Sequence, residues 1–416
     1  MVANQKQHSI IRGLAKKTKE ISQDPIHTEN IKRWKNKNRL IKGRPLIMCS
    51  PPQAAWEEII PSSEIISEDP LLKMIEIELR RRIYHYEHFK DDWPITDTLF
   101  VPLSKTISDW MDGHIRPYSS DAKKAAAIEP CMNNDDGIEK MRFPKLTVDK
   151  QTSNKNYEIV CDLLGDILTV ELGAPYITSK GWGESLIDEF LEMRGMEQLF
   201  MDLYTNPKFV HEVMSFMMNG LNILLDQLEK EHALFLNNRE NSIGTLGLGY
   251  LDDLPGQNFD PSKIVTQNLW GYAQAQDFSS VSPDMLEEFV LPYQAKLLER
   301  FGLNGYGCCE PNDKKWGIIK KHIPNLRSLS VSAFANHETA AGAIKDEYVY
   351  VWKPHPYQMI GKFDEKYIAD ETKRVFEITK DCHVVVNLMD TQTLYGEPER
   401  LDKWVQITKE VALHAE

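Results

Sequence analysis

From residue 282 onward, short unbroken apolar runs alternate with amphipathic stretches at a spacing of about 20 to 35 residues. Leu303–Cys308, Leu326–Val331, Tyr348–Trp352 and His383–Leu388 read as strands. The segments 312–322, 337–344, 365–380 and 399–414 read as helices between and after them. A further helix, SPDMLEEFVLPYQAKLLERFG, opens on Ser282 as N-cap with Pro283 at the first position, and Gly302 lies just past its end. Strands apolar on both faces are parallel and joined by crossover helices.

The first 280 residues carry the same pattern less regularly. A strand is expected at Pro45–Ser50, stopped by Pro51 and Pro52, and a helix from about Pro70 to Asp91. Residues 93–150 look irregular, with strand candidates at Leu99–Val101 and Ala126–Ile128. A helix at Tyr157–Leu164 and a strand at Ile167–Leu172 follow. Helices at Gly183–Arg194, Glu197–Tyr204 and Lys208–Glu231 then lead to a strand at Ser242–Leu248. About eight strands in an α/β alternation predict a (β/α)8 TIM barrel over residues 44–416, with an open doubly wound sheet as the alternative. Long loops are expected over its carboxyl-end face. Residues 1–43 are polar and basic. They predict an N-terminal helical extension lying outside the main core or against a partner subunit, as in a homodimer.

Composition narrows the function. Among 416 residues, 49 Lys and Arg face 62 Asp and Glu, a formal net charge of −13. That argues against coating nucleic acid or an anionic membrane, both of which need clustered cations. No run of about 20 apolar residues occurs, and the opening MVANQKQHSIIRGLAKK is too polar for a signal peptide. Six cysteines, of which only Cys308 and Cys309 are close together, predict a reduced, cytoplasmic protein. The glycines of GTLGLG are not followed by Lys-Ser/Thr, so no nucleotide-binding loop is expected there.

In a barrel, chemistry sits at the carboxyl ends of the strands. The densest constellation there is GYGCCEP at 305–311. If the strand runs on through it, alternation sends Cys308 and Glu310 to one side and Cys309 to the other. A thiolate and a carboxylate are two of the three protein ligands that a catalytic Zn2+ needs. Asp390, after HVVVNLM, is the first choice for the third, ahead of Cys382 and His383. The alternative is that the two cysteines are small buried hydrophobes. Lys353 and His355 follow another strand, and Asp252 follows Ser242–Leu248. Trp270, Tyr272 and Gln274, in LWGYAQAQD, have the composition of a pocket for a planar, mostly apolar ligand. Equally, Trp270 could fill core and Lys353 pair with a carboxylate.

The segment 282–302 with the strand and Cys-bearing turn after it resembles the uroporphyrinogen decarboxylase superfamily. So does DCHVVVNLMDTQTLYGEPERLDKWVQITKEVA, which looks like that superfamily's closing strand, Pro-Glu turn and last helix. The resemblance follows the order of elements over residues 45–416 and is specific over 282–412. It implies a (β/α)8 barrel. True decarboxylases carry an Arg-rich signature after the first strand, whereas this chain has MCSPPQAAWEEIIP. The corrinoid-dependent methyltransferase branch holds zinc by His-x-Cys and a distant Cys. The matching slots here are Cys308 and Glu310 with Asp390, and Cys309 alongside. That oxygen-rich set implies Lewis-acid help to a departing phenolate. The resemblance therefore implies methyl transfer from a small methoxylated aromatic to the reduced cobalt of a corrinoid protein partner. Glu310, Lys353 and His355 would be the catalytic aids, with Trp270, Tyr272, Gln274 and Asp252 around the donor. Methylcorrinoid:thiol transfer, decarboxylation and a non-enzymatic corrinoid-protein-binding barrel are the alternatives.

Overall fold

The computed structural model describes residues 2–114, 129–173, 186–257 and 259–415. The strand candidate Ala126–Ile128 and the start of the helix expected from Gly183 lie outside the described residues. Ten strands are present among the rest: β1 (Leu46–Cys49), β2 (Thr98–Pro102), β3 (Lys105–Ile107), β4 (Leu146–Val148), β5 (Thr169–Gly173), β6 (Trp270–Ala273), β7 (Leu303–Tyr306), β8 (Leu326–Val331), β9 (Val349–Trp352) and β10 (His383–Leu388). The chain divides into two units, Met1–Ser104 with Asp149–Pro175 and Lys353–Glu416, and Lys105–Val148 with Tyr176–Trp352.

In the first unit β1 pairs with β10 in parallel, Leu46 opposite Val385 and Cys49 opposite Leu388. β2 pairs with β5 in parallel, Thr98 opposite Thr169. Helices Val2–Ser22, Pro70–Tyr84 and Lys150–Leu164 press Ile11, Ala15, Ile75, Leu79 and Leu164 onto Leu99 and Val101. The N-terminal helices are thus not outside the core. A polar average conceals a narrow buried stripe at Ile11, Ala15 and Thr18, spaced as one face of a helix. Trp34, on the helix Pro25–Asn38, is fully buried and donates its indole N–H to the Asp92 carbonyl, 2.8 Å.

Asp92 ties this unit together. Arg44 grips its two carboxylate oxygens at 2.6 and 2.8 Å, and the Ile47 N–H of β1 adds a third bond at 2.8 Å. Burial pushes the Asp92 carboxyl up, but the Arg44 bonds and charge win and hold it below the usual carboxylate value. Close by, the Lys37 ammonium donates to the Gly43 and Arg44 carbonyls. Burial and the Arg44 charge bring it down to about 7.

The second unit carries β6, β7, β8 and β9, paired in parallel in that order. β3 and β4 form a short antiparallel pair. The helix Pro207–Lys230 buries Val210, Val213, Met214, Met217 and Leu221 along one face. Three expectations shift here. Ser242–Leu248 is no strand: an isolated bridge joins its ends around a turn at Gly244. A Cβ on Gly244 would lie 2.4 Å from the Tyr272 ring, so close packing requires this glycine. The missing strand is instead β6, whose four residues WGYA are too few for periodicity to reveal. Finally, the long helix after Ser282 breaks at Val290 into Pro283–Phe289 and Leu291–Leu298. Pro292 lacks the N–H that would bond to Glu288, and its ring crowds that carbonyl.

No helix among the described residues is long and apolar enough to cross a membrane. None of the six cysteines is in a disulfide.

Asp92→Ala should cost about 3–5 kcal/mol, because it leaves the Arg44 charge buried without its carboxylate. Urea unfolding measures this. A loss below about 1 kcal/mol would show that the pair is not what secures β1.

Candidate active site

The parallel strands of the second unit end where three acidic side chains meet. β6 runs out at Ala273 into the turn Gln274–Phe278, and β7 runs out at Tyr306. Gly307 has φ +92°, which halts the extended backbone two residues earlier than the apolar run suggests. Strand alternation therefore does not govern Cys308, Cys309 and Glu310. Instead the chain curls so that Glu310, 2% exposed, folds back on its own loop. Its Oε2 accepts the Cys308 N–H at 2.7 Å, and its Oε1 accepts the Ala275 N–H at 3.3 Å. Ser330 and Ser332, at the end of β8, donate to the Cys308 and Cys309 carbonyls, each at 2.6 Å.

The third element is the helix Leu186–Arg194, which carries Asp188 in its first turn. Asp188 is buried. Its Oδ2 accepts from Gln274 Nε2 at 3.3 Å and its Oδ1 from the Asp277 N–H at 3.2 Å. The Tyr272 hydroxyl lies 2.9 Å from Gln274 Oε1, 3.1 Å from the Gly307 carbonyl and 2.9 Å from Thr245 Oγ1. The Tyr272 hydroxyl fixes Gln274 with its oxygen toward the phenol and its nitrogen toward Asp188. The Gln294 amide holds the Gln274 carbonyl at 2.6 Å and accepts the Tyr306 hydroxyl at 3.1 Å. The turn that positions Asp188 is thus braced from both sides.

Burial pushes the Asp188 carboxyl up to about 8, helped by repulsion from Asp277 and Glu310, and the hydrogen bonds pull only partly against it. The field of the helix start, worth at most about 1–2 kcal/mol, favours the anion and is outweighed. Asp277 is raised as well, by burial and then by Glu192. On the same helix, Glu189 accepts the Trp110 indole N–H at 2.5 Å and Glu192 lies 3.3 Å from His114 Nε2. Lys315 donates to the Phe278 and Ser279 carbonyls at 3.1 and 2.9 Å. Burial lowers its ammonium, with Glu310 opposing. A carboxylic acid that keeps its proton at pH 7 is a hydrogen-bond donor and a general acid.

The residues expected from the sequence fall into three groups. Cys308, Cys309, Glu310, Tyr272 and Gln274 come together in this site. Trp270 is 1% exposed inside β6, its indole N–H on the Gly249 carbonyl at 3.1 Å and its backbone clasped by Asn237. It is core on both counts. Asp252 is exposed. Lys353, His355 and Asp390 belong to the first unit, where Lys353 is buried and Asp390 half-buried. His355 caps the turn Pro356–Gln358, its Nδ1 accepting the Tyr357 N–H at 3.2 Å.

A zinc ion needs three donors converging on one point. Both Glu310 oxygens are engaged by backbone N–H groups, and the Cys308 and Cys309 sulfurs lie 3.5 Å apart. Among the described residues, no group of three or more His, Cys, Asp or Glu is placed to hold a metal ion. Of the expected zinc donors, Cys308 and Glu310 belong to the second unit and Asp390 to the first. Asp188 was missed because an acid within an amphipathic helix ordinarily faces water. The signal it left is its neighbourhood: Ile187 and Leu191 flank it on a largely buried helix.

No family model matches this chain, and no curated protein does. Among solved structures, a methyltransferase from Methanosarcina mazei is similar over 92% of this chain and 98% of its own, with a TM-score of 0.46 and 11% identity. A likeness that faint carries no functional weight.

The site makes stability depend on pH with a definite sign. Asp188 is held near 8 in the fold and returns to about 3.9 when unfolded. The stabilisation from its bound proton is complete below pH ~4, is lost as pH rises, and is gone above about 8. Asp188→Asn cannot ionise. Urea unfolding across this range should show the wild type losing stability relative to the variant as pH rises, and a difference independent of pH would contradict the assignment.

Proposed function

We propose that this chain is a corrinoid-dependent methyltransferase that demethylates a small methoxylated aromatic and passes the methyl group to a reduced corrinoid carried by a partner protein. The observation that carries this reading is Asp188, a buried acid held near 8 beside Gln274, Tyr272 and Glu310. The motifs at 282–311 and 381–412 support it through their resemblance to the uroporphyrinogen decarboxylase superfamily, which contains that branch. The fold part of the reading is a (β/α)8 barrel, supported by parallel pairing within each unit, β1 with β10 and β2 with β5 in the first and β6 to β9 in the second.

The chemistry sets a requirement that Asp188 meets. When the methyl–oxygen bond breaks, its electron pair stays on the aromatic oxygen and the methyl carbon goes to the corrinoid, which supplies the attacking pair. The leaving phenolate has a proton affinity corresponding to a pKa of about 10. An ordinary aspartate, at about 3.9, is ionised at neutral pH and has no proton to give. An acid near 8 is still protonated at pH 7, yet is acidic enough to give its proton to a phenolate. Gln274 would hold Asp188 in orientation and Glu310 would keep its proton on until charge develops on the departing oxygen. The corrinoid supplies the nucleophile and the protein supplies orientation and the proton.

A neutral acid also suits decarboxylation, where it would protonate the carbon that carbon dioxide leaves. That reading needs no corrinoid.

Mixing the chain with a panel of methoxylated aromatics and a reduced corrinoid protein should produce the absorption of the methylated corrinoid. Asp188→Asn should slow it about 10²- to 10³-fold with little change in KM. Absence of methylated corrinoid across the panel overturns the reading, and corrinoid-independent release of carbon dioxide would replace it with decarboxylation.

A further inference from the structure

We propose that Cys308 and Cys309 are a modification site: a pair that a small disulfide oxidant, of the glutathione class, closes into a reversible bridge between adjacent residues. Their sulfurs lie 3.5 Å apart, so closure to the ~2.0 Å of a disulfide needs a small movement. Cys309 is partly exposed and Cys308 is 7% exposed, which sets the order of events. The Cys309 thiolate attacks one sulfur of the oxidant and releases the first small thiol, leaving a mixed disulfide. The Cys308 thiolate then attacks the Cys309 sulfur and releases the second. The two protein thiols lose two protons and two electrons, and one disulfide oxidant becomes two thiols.

Adjacency makes this a switch rather than a staple. Neighbouring Cα atoms are about 3.8 Å apart, closer than the about 4.4–6.8 Å of ordinary disulfides. A bridge so constrained is readily reduced. It also cannot form without turning the peptide between the two residues. Its carbonyl, that of Cys308, accepts the Ser330 hydroxyl, and the peptides on either side are held through the Cys308 N–H on Glu310 Oε2 and the Ser332 hydroxyl on the Cys309 carbonyl. Glu310 in turn reaches the Ala275 N–H, in the turn that positions Asp188. Oxidation therefore alters the surroundings of the proposed acid. The effect on activity rests on the function proposed above, whereas formation of the bridge does not.

The test is incubation of the whole chain with glutathione disulfide, followed by alkylation and peptide mass spectrometry without reductant. The peptide holding both residues should lose two hydrogens in mass and both alkylation sites, and dithiothreitol should restore them. In Cys308→Ala, which lacks the resolving thiol, Cys309 should accumulate a stable glutathione adduct. A stable adduct on Cys309 of the wild type with Cys308 still alkylated overturns the proposal. So does a bridge from either residue to a third cysteine, or two thiols that stay unreacted. These readouts need no activity. If the bridge forms in a chain that transfers no methyl group, the functional reading fails and this one stands.

Discussion

A carboxyl group taken out of water needs either donors for its negative charge or a proton of its own. At the ends of β6 and β7 the fold offers few donors to three acids. Glu310 takes the N–H groups of Cys308 and Ala275, and Asp188 is left with the Asp277 N–H and the Gln274 amide. Among the described residues no cation is bonded to Asp188, and two acidic neighbours raise the energy of its anion. It therefore holds its proton. The turn Gln274–Phe278, the curl at Gly307 and the Tyr272–Gln274 contact all serve that outcome.

Asp92, in the first unit, shows the same residue type with the opposite result. It is as deeply buried as Asp188, but Arg44 meets it with two parallel bonds and Ile47 with a third. There the anion wins, and the group fastens β1 to the segment after the helix Pro70–Tyr84. Burial pushes both carboxyls up, so what separates a structural anion from a candidate acid is the partner. An arginine makes Asp92 an anchor. Asp188, with no arginine among its described partners, keeps its proton.

Most of the regular structure was legible in the sequence. The strands Leu326–Val331 and His383–Leu388 and the helix His337–Ile344 end where the patterning says, because their apolar runs stop at turn residues. Legibility failed where a single residue overrode a pattern. Gly307 turned the chain before Cys308, so alternation assigned sides to side chains that are not in a strand. Pro292 divided a helix whose N-cap was read correctly at Ser282. The site was half legible. Glu310 and Gln274 stood out because polar residues ended apolar runs. Asp188 did not, since its role comes from burial against Gln274 and Asp277, nearly 90 residues away. Pattern within a helix cannot report a partner at that distance.

The central claim is that Asp188 is an uncharged acid at neutral pH and that Glu310 helps keep it so. Carboxyl-carbon NMR of aspartate-labelled chain, with Asp188→Asn to assign the resonance, reads this directly. The account predicts a titration midpoint near 8 that moves down in Glu310→Gln. A midpoint in the ordinary aspartate range near ~4, unchanged by Glu310→Gln, would contradict it.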